Sequence, residues 1–201
     1  MAKGPNYRVP FKRRRKGKTN YYLRRKLLTS GKHRFVIRPS NKNVTCQVAD
    51  AHLSGDVVIS VAHSKELVKQ FNWNFNTGNL PAAYLTGYLL GKKALKAGVG
   101  DGIADIGLRV HIKRTYAALK GMVDAGVDIP HSEDSGIFPS EDRLMGKHIE
   151  EYSKLVKDNN KNAEDDEKSS QFNQQFKDGV DVGKMSSVVA DIKKKIDKQY
   201  S

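Results

Sequence analysis

The chain has 201 residues, 38% of them hydrophobic, with 36 Lys and Arg against 22 Asp and Glu and a formal net charge of +14. That length and apolar content suffice for one domain with a real core plus appendages. A single cysteine, Cys46, excludes an internal disulfide. No Cys/His set has zinc-finger spacing, and neither an apolar leader nor a membrane-spanning run is expected, so the reading is a cytosolic protein.

The charge is confined to one end. Residues 1–43 hold fifteen Lys and Arg and no acid, the first being Asp50, while the rest of the chain balances 21 basic residues against 22 acidic ones. A polyanion-binding arm joined to an ordinary domain is expected, rather than a uniformly supercharged protein.

Residues 1–19 contain Pro5, Pro10 and the run Lys12, Arg13, Arg14, Arg15, Lys16, Gly17, Lys18. Self-repulsion and desolvation keep such a run out of a core, so an extended arm is predicted until an anion orders it. Asn20 caps a predicted short helix over 21–29 that ends at Gly31, with Leu23 and Leu27 four apart and Arg24, Arg25 and Lys26 beside them. Under three turns long, it needs a packing partner.

Three alternating segments follow, 33–38, 44–50 and 57–62, separated by turn-rich residues and read as an antiparallel meander. Phe35 and Ile37 share one face of the first and Arg34 and Arg38 the other, while Val44, Cys46 and Val48 share a face of the second. Helices are predicted near 65–71, from Asn79 with Pro81 in the first turn to about Ala97, and over 115–125, with a fourth strand at 103–108. This alternation favours α/β, a mixed sheet with an antiparallel meander packed by helices. A helical pattern over 140–157 places Leu144, His148, Ile149, Tyr152 and Leu155 near one face. Residues 158–170 read as a polar linker, and Val188, Ile192, Ile196 and Tyr200 mark an amphipathic helix that docks on a neighbour or on its own domain. The expected division is an arm at 1–19, an α/β domain at 20–157 and a helical extension at 158–201.

The arm is the strongest chemical signal, because Lys and Arg neutralise phosphates without a folded pocket. Tyr7, Phe11, Tyr21 and Tyr22 lie among the charges and suit stacking on exposed bases, which favours RNA with unpaired nucleotides over duplex DNA; a localisation signal or solvated tail is the plainer alternative. Arg38, Pro39, Ser40, Asn41, Lys42 and Asn43 add amide and hydroxyl groups for sugar and phosphate contacts, though they also make an ordinary hairpin turn. Asp50, Asp56, Asp101 and Asp105 fall mostly in turns or at strand ends, so they argue for structure rather than a two-metal site. His131, Ser132, Glu133 and Asp134 read as a capped turn, and Gly98, Gly100 and Gly102 lack the Walker lysine and dinucleotide spacing. No catalytic residue, metal or cofactor is called for.

Several strings acquire meaning together: residues 7–15 (YRVPFKRRR), 17–21 (GKTNY), 38–42 (RPSNK), 79–87 (NLPAAYLTG), 91–94 (GKKA) and 128–133 (DIPHSE). Over about residues 5–155 the chain resembles the ribosomal L-eighteen family in its archaeal form, the universal large-subunit protein that binds 5S ribosomal RNA. The resemblance implies a non-enzymatic structural protein in the cytoplasmic ribosome, with a fold of the ribonuclease-H-like type found in the translational machinery. It implies that the arm and sheet face contact 5S rRNA and help attach it to the 23S-type large-subunit rRNA in the central protuberance, beside neighbouring ribosomal proteins. Carried over by position, the RNA-facing residues are Arg8, Lys12, Arg13, Arg14, Arg15, Lys16, Lys18, Ser40, Asn41 and Lys42. Tyr21, Arg24, Arg25, Arg34 and Arg38 lie alongside them, with Lys92 and Lys93 as second contacts. A nucleic-acid-processing enzyme or assembly factor on the same fold is the alternative.

Overall fold

In the computed structural model, residues 4–108, 112–132, 136–162, 172, 175 and 179–200 are described. The alternating segments form β1 (Arg34–Pro39), β2 (Val44–His52) and β3 (Gly55–His63). β1 and β2 pair antiparallel, with Phe35 opposite Val48 and Ile37 opposite Cys46, which brings the apolar residues of both strands onto one face. Phe35, Ile37, Val44, Cys46 and Val48 are fully buried there, and burial pushes the Cys46 thiol far above its usual range. β3 pairs antiparallel with β2 across a bulge between Val48 and Ala49. β4 (Ile103–Asp105) joins β1 in parallel, so the mixed sheet runs β3-β2-β1-β4.

The inner face of this sheet packs on α4 (Leu80–Lys96), which is buried nearly all round. Asn79 Oδ1 accepts from Ala82 N at 2.9 Å and Pro81 sits in the first turn, so the helix starts as the sequence dictates. α5 (Lys113–Asp124) crosses α4 closely because glycines remove the side chains between them. A Cβ on Gly87 would lie 1.9 Å from Ala118 O, and one on Gly121 2.2 Å from Tyr84 O. α3 (Ser64–Phe71) is held by a capping box in which His63 N donates to Glu66 and Lys65 N donates to His63 Nδ1.

The C-terminal helix, α8 (Met185–Tyr200), docks on its own domain, burying Met185, Val189, Ile192 and Ile196 against α4. Tyr88 Oη donates to Asp197 at 2.6 Å, Lys92 pairs with Asp197 at 2.9 Å, and Lys193 Nζ reaches Tyr84 Oη at 3.1 Å. Burial opposes the Asp197 charge, yet the hydrogen bonds from Tyr88 and Lys92 outweigh it and hold the carboxyl below its ordinary range.

Four local expectations change. The fourth strand stops at Asp105, because Asp105 Oδ1 accepts from Gly107 N at 3.0 Å and Gly107, at φ +72°, turns the chain away. The pattern over 140–157 is two helices, α6 (Glu141–Met145) and α7 (Lys147–Asn162), broken at Gly146 with φ +91°. The break re-aims α7, so Ser153 and Val156 are buried while Tyr152 and Leu155 are exposed. α7 also continues five residues into the expected linker, at 158–162; residues 163–170 lie outside the described residues. The basic run, expected to be extended, makes a single helical turn, α1 (Lys12–Arg15).

Candidate nucleic-acid interface

The outer face of the sheet carries the even-numbered residues of β1, namely Arg34, Val36 and Arg38, and it is this face that the N-terminal segment covers. α2 (Tyr21–Thr29) starts at Asn20, whose Oδ1 accepts from Tyr22 N and Leu23 N at 3.1 and 3.2 Å. None of its residues is fully buried. It is fastened by charge: Arg24 donates two hydrogen bonds to Asp56 at 2.9 and 2.7 Å. Asp56 Oδ2 also lies 2.7 Å from Arg34 Nη2, and Arg34 Nη1 lies 3.5 Å from Asp105 Oδ2. The Arg24 hydrogen bonds hold the Asp56 carboxyl down at about 2, with Arg34 adding to the effect against a smaller opposing effect of burial.

Between α2 and the sheet lies a cleft of about 470 Å³. Arg13, Lys18, Arg24, Arg34 and Arg38 line it against two carboxylates, Asp56 and Asp105, an excess of three positive charges. At its rim Arg13 Nε donates to Thr19 at 2.9 Å. Phe11 and Tyr21 rings lie 5.1 Å apart, and the Arg14 guanidinium sits 5.4 Å from the Tyr22 ring centre. Arg8, Lys12, Arg13, Arg14, Arg15, Lys16, Lys18 and Arg25 are all exposed.

At the β1–β2 end, the turn is built to keep one shape. Ser40 N and Oγ donate to Asn43 O at 2.7 and 2.9 Å, and Asn43 N donates back to Ser40 Oγ at 3.0 Å. Thr77 Oγ1 donates to Lys42 O at 2.7 Å, and Arg114 Nη1 donates to Ser40 O at 2.7 Å and Gly78 O at 3.1 Å. Gly78 leaves room for this contact, since a Cβ there would meet Asn41 O at 2.8 Å. The Asn41 and Lys42 side chains are left pointing into solvent.

The structure thus sorts the expected RNA-facing residues. The arm cations with Arg25, Asn41 and Lys42 are exposed. Arg34 is not: its side chain is 3% exposed and paired with two carboxylates, Asp56 and Asp105, across the sheet. Arg38 is half-exposed but bound to Asp105 O at 2.6 Å and Asp105 Oδ1 at 2.7 Å. Ser40 holds its own turn. Lys92 pairs with Asp197, and Lys93 donates to Glu66 and to Val61 O, so both are tied to the domain as the structure stands. Sequence reasoning missed Arg114 as the brace of the turn, since 74 residues separate it from Ser40; Arg109, Val110 and His111, in the same stretch, lie outside the described residues. The acids once weighed as a metal cluster are spread out: Asp56 and Asp105 flank Arg34, while Asp50 lies near His33 and His52, and Asp101 pairs with Lys32.

Residues 5–105 match the family described as ribosomal large subunit proteins 60S L5, and 50S L18. Among curated relatives, "Large ribosomal subunit protein uL18" of Aeropyrum pernix is 44% identical over 100% of this chain and 92% of its own length. The chain belongs to this family. The proteins of the same name from Thermofilum pendens and Methanothrix thermoacetophila are each 51% identical, over 80% and 76% of this chain and 81% and 90% of their own lengths. Membership in its archaeal branch makes the chain a structural protein of the large ribosomal subunit in the cytoplasm, and not an enzyme.

Proposed function

We propose that this chain binds 5S rRNA and helps attach it to the large-subunit rRNA in the central protuberance, beside neighbouring ribosomal proteins. The observation that carries this is the division of labour at the interface. Seven arm cations, Arg8, Lys12, Arg13, Arg14, Arg15, Lys16 and Lys18, stand exposed on a segment without acids. The braced turn presents Asn41 and Lys42 in fixed positions. Exposed cations supply attraction that ignores sequence, whereas fixed donors select shape. On this reading the arm, at 1–19, supplies attraction, and the domain at 20–157 holds the turn that selects the RNA.

The test compares 5S rRNA with an unrelated structured RNA of similar length at one salt concentration, using the full chain and two variants. The wild type binds 5S rRNA more tightly. Replacing Asn41 and Lys42 by alanine weakens 5S binding more than control binding. Neutralising residues 12–16 weakens both alike. Equal affinity of the wild type for the two RNAs would refute the proposal.

A further inference from the structure

We infer that the cleft between α2 and the outer face of the sheet seats one unpaired RNA nucleotide, its base turned out of its own helix and read by Gln47. The inference rests on the RNA-binding reading above and gives it a specific contact. At about 470 Å³ the cleft falls within the roughly 300–1,000 Å³ of small-ligand sites. Its walls suit a base: Leu23 and Leu27 of α2 face Val36, Ala49 and Val58 of the sheet. Its rim suits a phosphate, since Arg13 and Lys18 stand there on the arm.

The charged groups on the floor are paired with one another, Arg34 keeping a buried Nε without a hydrogen-bond partner among the described residues. Asp56 is held by Arg24 and Arg34, and Asp105 by Arg38 and Gly107 N. Gln47 is different. It lies on the outer face opposite Val36 and Val61, is half-buried, and its side-chain amide has no hydrogen-bond partner among the described residues. An amide offers a donor and an acceptor side by side, which matches the paired donor and acceptor on a base edge. A base inside a duplex hides its Watson–Crick edge and keeps both faces stacked, so only an unpaired nucleotide enters.

The test uses the full chain and single-stranded RNA oligomers of about five nucleotides, oligo-adenylate, oligo-cytidylate and oligo-uridylate, with a short RNA duplex as control. Nuclear magnetic resonance follows the Gln47 side-chain amide and the methyl groups of Val36 and Val58. Single strands shift all three saturably, while the duplex shifts arm resonances alone. The three oligomers differ in affinity by roughly fivefold or more, the scale of one paired base-edge contact. Gln47→Leu, which keeps an apolar side chain in the cleft and removes the amide, reduces that spread to below about twofold. Unmoved Gln47 and valine signals, or an unchanged spread in Gln47→Leu, would overturn the inference, and the wild-type signals decide it even if the variant folds poorly. A chain that prefers 5S rRNA while Gln47 stays silent loses the nucleotide seat alone. A chain whose Gln47 responds to single strands but which ignores the identity of the large RNA loses the 5S reading and keeps the seat.

Discussion

Replacing Asp56 by alanine tests whether charge, rather than apolar packing, fastens α2 to the sheet. Two guanidinium groups lose their partner, and the two losses are unequal. Arg24 is about one-third exposed, and an exposed pair contributes less than about 1 kcal/mol. Arg34 is 3% exposed and would keep only Asp105 at 3.5 Å. Stranding a buried charge costs about 3–5 kcal/mol. The residual contact with Asp105 and the partial exposure of Asp56 lower this, so about 2–3 kcal/mol is expected for Asp56→Ala. At about 2–4 °C per kcal/mol for a domain of this size, the melting temperature falls by roughly 5–10 °C. Arg24→Ala serves as the comparison, because it removes the surface half of the clamp and leaves Arg34 paired; it costs about 1 kcal/mol or less. Urea titrations of both variants, analysed with a common slope, give the two values. Equal costs within about 0.5 kcal/mol would refute the reasoning, because Arg34 would then not depend on Asp56.

The same carboxyl predicts a pH dependence. Folded, Asp56 titrates at about 2, against about 3.9 for an unfolded aspartate. Its stabilisation is therefore complete above about pH 5 and fades as pH falls towards 2, and Asp56→Asn flattens that part of a stability-against-pH curve. Binding to 5S rRNA depends on salt: with six or seven arm cations on phosphates, log affinity falls against log salt with a slope of about −5 to −6, and a slope near −1 would remove the arm from the interface. Gly121→Ala drives a Cβ into Tyr84 O, to which it would lie 2.2 Å away. Separating α4 from α5 costs about 1–3 kcal/mol or more by thermal melt.

The meander and the α4 start were legible because their signals are local. A period of two, and Asn79 with Pro81 in the first turn, each act over a few residues. Residues 140–157 were misread for a physical reason. A period of about four survives on both sides of a single glycine, but Gly146 at φ +91° resets the phase, and the buried face moved from Tyr152 and Leu155 to Ser153 and Val156. Arg34 shows the limit of reading charge as function. On a strand it reads as one more cation of the basic end, yet Asp56 and Asp105, far along the chain, neutralise it once the sheet closes. Arg114 was hidden in the same way: its partners are backbone carbonyls of the 40–42 turn and Gly78, which no spacing in the sequence reveals.

The most direct test of the central claim is a protein–RNA crosslinking map of the assembled large subunit, read out residue by residue on the protein and nucleotide by nucleotide on the RNA. Crosslinks from the arm, Arg8 to Lys18, and from Asn41 and Lys42 are predicted to fall on 5S rRNA, with further arm crosslinks on adjoining large-subunit rRNA. Crosslinks from those residues to large-subunit rRNA or protein alone, with none to 5S rRNA, would contradict the account.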